Sequence, residues 1–213
     1  MSSERLILDL SANLAPVRPR RMLREAALVA ALGAVELALA LGLGMMRPDM
    51  SHMGDSPHFL WRVGSLAVMA AIACTVAIRS FSPIARPRGG VVLACALAVV
   101  AIIGGMFVAP AGVSEQPLLQ RLDPAHGIMC AGSIFVLSLP VVAMLGALMR
   151  RAAPTQPRLS AIASGIAAGT VGALVFAFCC PFNDPLYVVA WYSIGCAAVA
   201  GAARWCLPRR FRL

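Results

Sequence analysis

Apolar residues gather into six long runs separated by short polar gaps, at about 26–46, 60–78, 90–109, 127–149, 159–178 and 186–203. Each run is close to the roughly 20 residues with which an α-helix crosses the hydrocarbon of a bilayer. No gap is long enough to fold as a separate soluble domain. The pattern therefore predicts an all-α, polytopic membrane protein, with six transmembrane helices in one bundle over 26–206. A segment of 25 residues precedes the bundle and a basic tail, 207–213, follows it.

Charge gives the bundle its sides. All 18 basic residues are arginine, and 15 of them fall before the first run or in the gaps at 79–88, 150–158 and 204–212. Only Arg47, Arg62 and Arg121 belong to the alternate gaps. Short loops rich in arginine stay in the cytosol during insertion, so both termini are expected in the cytoplasm. A cleavable leader is not expected, because the first run starts late and ends at Met45-Met46-Arg47 without a small-residue cleavage pattern. The net charge of +9 raises the question of nucleic acid. Arginines hugging helix ends answer it otherwise, as orienting groups that meet lipid phosphates, and no direct nucleic-acid binding is expected.

Catalysis has few materials here. Without lysine there is no Schiff-base chemistry, and no phosphate loop, HExxH or acid pair placed to cleave a bond is present. No cofactor is called for. The seven cysteines sort by side: Cys74, Cys95 and Cys206 toward the cytoplasmic ends and Cys196 deep in the sixth run, all serving as small apolar residues. Cys130, Cys179 and Cys180 lie at the outer ends, where an oxidising compartment makes thiols reactive.

Local signals fix those ends. Asp123-Pro124 and Asp184-Pro185 each read as an N-cap followed by proline at the first helical position, and Pro181 cannot continue the fifth helix. Helices five and six are therefore antiparallel neighbours across a very short turn. Helix five carries small residues every fourth position, Ala161, Gly165, Gly169, Ala173 and Ala177, a stripe that lets another helix approach closely. Cys180 continues near that face while Cys179 points about 100° away. If helix four is the close partner, Cys130 and Cys180 meet; the alternative is two packing residues that never bond.

Three other features carry candidate chemistry. Residues 3–14 form an amphipathic helix with Leu6, Ile7, Leu10 and Leu14 on one face. Its polar face is not basic, which suits a groove on a partner protein better than a lipid surface, the alternative being an anchor helix folded on the bundle. The extended Pro16-Val17-Arg18-Pro19 and its neighbouring arginines can meet acidic groups of a partner or lipid. In the first outer gap, Met50, His52 and Met53 offer thioether and imidazole to a soft metal such as Cu(I), or serve as apolar filler at a helix end. His126 can join Cys130, Cys180 and Asp184 around a metal, or only hydrogen-bond at the interface. Glu36, near the middle of the first run, is a functional suspect or a protonated, hydrogen-bonded acid.

Phe178-Cys179-Cys180-Pro181-Phe182-Asn183-Asp184-Pro185-Leu186-Tyr187, followed by Trp191-Tyr192, resembles the end of the NrsF family of six-helix membrane anti-sigma factors. His126-Gly127-Ile128-Met129-Cys130 looks like that family's fourth helix, and Leu6-Ile7, Leu10, Leu14 and Pro16-Val17-Arg18-Pro19 like its opening. The resemblance implies a regulator in the bacterial inner membrane that holds a sigma-F-type extracytoplasmic-function sigma factor inactive. It implies Cys130 and Cys180 as the signal-sensing thiols, answering an oxidative or heavy-metal signal. Cys179 departs from the family pattern. It also implies Leu6, Ile7, Leu10, Leu14, Val17 and Arg18 as the sigma-factor contacts. The competing classes are a membrane thiol–disulfide oxidoreductase, which lacks an outer Cys-x-x-Cys, and a small transporter, which lacks an obvious inverted repeat.

Overall fold

Proline starts nearly every helix. In this computed structural model, which describes residue 4 and residues 21–50, 56–82, 87–107, 121–152 and 154–209, six helices follow one another: α1 (Met22–Gly42), α2 (Pro57–Ser80), α3 (Pro87–Phe107), α4 (Pro124–Ala152), α5 (Pro157–Ala177) and α6 (Pro185–Arg209). All but α1 begin on proline, whose missing N–H is no loss in the first turn. Ser56 adds a side-chain cap to α2, its Oγ accepting from the Phe59 N–H at 3.3 Å. No strand occurs among the described residues.

Each expected run is a helix, with shifted ends. The sixth helix runs on to Arg209 rather than ending at 203, and α1 is displaced as a whole, starting at Met22 and stopping at Gly42 rather than at residue 46. Gly44 takes a left-handed conformation, φ 72°, and the Met45 N–H turns back to the Ala40 carbonyl, so the chain leaves the helix before its apolar run ends. Five helices, α1, α2, α4, α5 and α6, are long and apolar enough to cross a membrane, while the described apolar stretch of α3 is the shorter Gly89–Gly105.

The centre of the bundle is α5. Of its most apolar window 72% is buried, against 11% for α1, and it packs on α2, α4 and α6. Small residues make this possible. A Cβ on Gly165 would stand 2.5 Å from the Ala200 Cα, and one on Gly169 would stand 3.1 Å from the Cys196 Cα, so the stripe read from the sequence packs against α6. The approach to α4 runs through Gly172, where a Cβ would lie 2.4 Å from Ser138 Oγ and 2.9 Å from the Ile134 carbonyl. That residue lies off the stripe, and it corrects the premise that the stripe itself faces helix four.

Buried hydroxyls do not disturb this core, because each finds a carbonyl on its own or a neighbouring helix. Ser138 donates to Ile134, Ser164 to Ser160 and Thr170 to Ile166, one turn back. Ser160 donates to the Ser80 carbonyl at 3.0 Å and pins the start of α5 to the end of α2. Glu36 is the exception: it is buried, and neither carboxyl oxygen has a hydrogen-bond partner. An ionised carboxylate left there without a partner is costly.

Helix direction collects one set of ends together. The end of α1, the starts of α2, α4 and α6 and the end of α5 surround the turn at 178–184. The start of α1 and the end of α6 lie at the opposite end of the bundle.

Candidate functional site

The turn between α5 and α6 brings both outer thiols into one buried cluster. The Cys180 N–H still donates to the Phe176 carbonyl at 3.0 Å, so helical register persists long enough to turn this side chain inward. Cys180 is fully buried; Cys179, one residue earlier, is half-buried, with its Sγ 3.8 Å from the Val175 carbonyl. Cys130, in the second turn of α4, is buried beside it. The two thiols are close enough to perturb each other's charge, and neither is in a disulfide. The Tyr187 hydroxyl of α6 lies 3.2 Å from Cys130 Sγ, and its ring stacks on Phe182 at 4.5 Å between centroids.

Three arginines hold this cluster, and they are the three that stood outside the topological pattern. Arg62, on α2, is 4% exposed. It donates to the Phe182 carbonyl at 2.9 Å and to the Tyr192 hydroxyl, and its charge bears on Cys180. Arg47, 1% exposed, donates to Asn183 Oδ1 at 3.1 Å and to both oxygens of Asp49, while its backbone N–H donates to the Phe178 carbonyl. Arg121 forms a fork with Asp184, at 2.8 and 2.9 Å. Asp184 also caps α6 by accepting from the Leu186 N–H at 2.9 Å. Each arginine thus secures a different part of one seven-residue turn, through backbone carbonyls and short polar side chains.

The electrostatics distinguish the thiols. The hydrogen bond from Cys130, then the Arg62 guanidinium and the Phe182 backbone, outweigh burial and hold the Cys180 thiol below the ordinary range. Burial, and then the charge on Cys180, push Cys179 up. Burial alone would raise Asp184; the Arg121 hydrogen bond and the Leu186 N–H hold its carboxyl below the usual carboxylate value. Of the three thiols Cys180 is thus the one whose surroundings favour the thiolate, the form that attacks.

Other candidate residues separate. His126 is exposed, its Nδ1 2.7 Å from Asp123 Oδ2 and its ring against Phe182. Asp184 is committed to Arg121, so the quartet of His126, Cys130, Cys180 and Asp184 is not assembled around one point. Among the described residues no three His, Cys, Asp or Glu side chains gather as a metal site. Met50 is half-buried, whereas His52 and Met53 lie outside the described residues. Leu6, Ile7, Leu10, Leu14, Val17 and Arg18 also lie outside them. Trp191 covers Gly127 so closely that any Cβ there would collide with its ring, and its Nε1 donates to the Leu122 carbonyl at 2.7 Å.

Fold and site define a class: an all-α bundle of helices of membrane-crossing type, with a buried thiol pair and its arginines at one end. The chain belongs to the family described as negative regulator of sigma F, whose model matches residues 10–213. It is similar to the anti-sigma-F factor NrsF of Caulobacter vibrioides (strain NA1000 / CB15N), at 30% identity over 208 residues and 95% of each chain. It is also similar to the probable anti-sigma-F factor NrsF of Azospira oryzae (strain ATCC BAA-33 / DSM 13638 / PS), at 29% identity over 92% of each chain. No solved structure matches it. A family of negative regulators is regulatory rather than enzymatic.

Proposed function

We propose that the protein crosses the bacterial inner membrane six times with both ends in the cytoplasm. There it holds a sigma-F-type extracytoplasmic-function sigma factor inactive and releases it when the thiol pair reacts. The observation that carries this reading is the buried Cys130–Cys180 pair with Arg62 at its side, at the end of the bundle remote from the arginine-rich gaps. That remoteness, taken with the positive-inside rule, supports a periplasmic position for the thiols and a cytosolic one for residues 1–25 and the sigma factor. Leu6, Ile7, Leu10 and Leu14 supply the docking face, and Val17 and Arg18 extend it.

The chemistry is short. An oxidant such as hydrogen peroxide accepts two electrons as Cys180 is converted to a sulfenic acid, with one water released. Cys130 then displaces the second water and closes the disulfide. A thiophilic heavy-metal ion achieves a similar constraint by binding both sulfurs as two protons leave. Either product changes how α4 and the α5–α6 turn sit together. Moving a bound population from nearly all to nearly none requires a bias of about 5.5 kcal/mol, within reach of disulfide or metal–thiolate bonding.

The membrane-extracted protein should carry its sigma factor from unstressed cells and lose it after treatment with a thiol oxidant. Cys130→Ser and Cys180→Ser should each abolish induction of the sigma-dependent genes by that oxidant, with membrane insertion retained. Normal induction in both variants would reject thiol sensing, and absence of any bound sigma factor would reject sequestration.

A further inference from the structure

Closing a disulfide on an oxidised Cys180 takes a second thiol, and the buried cluster offers two: Cys130 inside it and Cys179 packed against it. Their neighbours treat a developing negative charge in opposite ways. Cys179 donates its proton toward the Val175 carbonyl, 3.8 Å from the sulfur, and a carbonyl can only accept. Charge on that sulfur would face a lone pair, and burial adds to the penalty. Cys130 Sγ lies instead 3.2 Å from the Tyr187 hydroxyl. Either atom can donate while Cys130 keeps its proton; once that proton leaves, only the hydroxyl can.

The hydroxyl is held in place by the turn itself. Tyr187 sits in the first turn of α6, which Pro185 starts and which Asp184 caps while forked to Arg121. It is 1% exposed, and its ring stacks on Phe182 with 27° between the planes. The other buried tyrosine of the cluster, Tyr192, has its hydroxyl engaged by Arg62. The two sulfurs are therefore served separately, Cys180 by the charge of Arg62 and Cys130 by the hydroxyl of Tyr187.

We propose that Tyr187 selects Cys130, and not Cys179, as the thiol that closes the disulfide, by donating a hydrogen bond to the Cys130 sulfur as its proton leaves. This role rests on the thiol-sensing reading and deepens it. In the closing step the Cys130 sulfur attacks the sulfur of the Cys180 sulfenic acid. The S–O bond breaks as the S–S bond forms, and the Cys130 proton departs with the hydroxide as water. Tyr187 keeps its own proton throughout. No oxidant is consumed beyond the peroxide that made the sulfenic acid.

The test treats the full chain in phosphatidylcholine nanodiscs with hydrogen peroxide, traps residual sulfenic acid with dimedone and reads the products by mass spectrometry over time. The parent should end as the disulfide between Cys130 and Cys180. Tyr187→Phe keeps the stacked ring and removes only the hydroxyl. It should close that disulfide about tenfold more slowly, the loss expected when a charged sulfur forfeits a hydrogen bond, with dimedone-trapped Cys180 accumulating in its place. The pH midpoint of closure should rise by about one unit, while the first oxidation of Cys180 keeps its rate. Closure at the parent's rate in Tyr187→Phe would overturn the proposal. A slowing shared equally by the first oxidation would do the same, since a loosened turn produces it without any role for the hydroxyl. Failure of the parent to form the disulfide would strike the thiol-sensing reading itself, and this role with it.

Discussion

Arg62→Gln should move the midpoint of the pH–rate profile for Cys180 alkylation upward by about one unit, the change expected when a thiol loses a neighbouring cation, and so slow the reaction about tenfold at pH values below that midpoint. In the parent protein Cys180 is held below the ordinary thiol range by the Cys130 hydrogen bond and the Arg62 guanidinium. Its reactivity should therefore plateau at a pH below that of a free thiol. Without the cation the midpoint moves upward but stays below that of a free thiol, because the Cys130 hydrogen bond, the larger cause, remains. Arg62→Lys keeps charge but loses the fork that reaches Phe182 and Tyr192 together, so it should fall between the two. Stability should drop as well, by about 3–5 kcal/mol, because Arg62 anchors a buried network. An unchanged midpoint in Arg62→Gln, in protein that remains folded, would remove Arg62 from the thiol chemistry. Mass-spectrometric alkylation rates across pH provide the measurement.

The second large effect concerns the central helix. Gly165→Val should separate α5 from α6 and prevent stable assembly, while Gly165→Ala should cost about 1–3 kcal/mol. The obstacle to a side chain is backbone as well as side chain: the Ala200 Cα at 2.5 Å, the Ala203 Cβ at 2.9 Å and the Val199 carbonyl at 3.1 Å. Backbone of a packed helix cannot rotate aside, so the whole helix must shift. Gly64→Ala in α2 is the control, since a Cβ there meets nothing within 4 Å and alanine is the better helix former by about 0.8–1.0 kcal/mol. Thermal unfolding in detergent should rank Gly64→Ala at or above the parent, with Gly165→Ala well below it. Equal midpoints for the two alanine variants would mean that α5 and α6 are not held at this distance.

The helices were legible because a run of apolar residues of spanning length is a strong and redundant signal. Their ends were less so. Pro124 and Pro185 were read as starts, whereas Pro57, Pro87 and Pro157 begin helices by the same device without having been singled out. The meeting of Cys130 and Cys180 was read only on the condition that helix four is the close partner of helix five's small-residue stripe; the glycines of that stripe face α6, and the contact with α4 runs through Gly172. The arginines were the real loss. Counting charges by side treats Arg47, Arg62 and Arg121 as strays, yet they fasten the turn. Arg62 and Arg47 take partners 120 to 136 residues away, chiefly backbone carbonyls, an amide and a hydroxyl, which leave no mark in composition or spacing. An arginine that breaks the topological rule is better read as a tether to be located.

Arg47 gives α1 a mechanical character unlike that of the other helices. This helix is sparsely embedded along its length, but just beyond its end Arg47 is fastened to Phe178, Pro181 and Asn183. It is a loosely bedded rod, gripped at the tip and continuous at its base with the leader residues. Any movement of the α5–α6 turn would thus reach α1 as a pull or tilt of one rod, while the rest of the bundle could stay where it is.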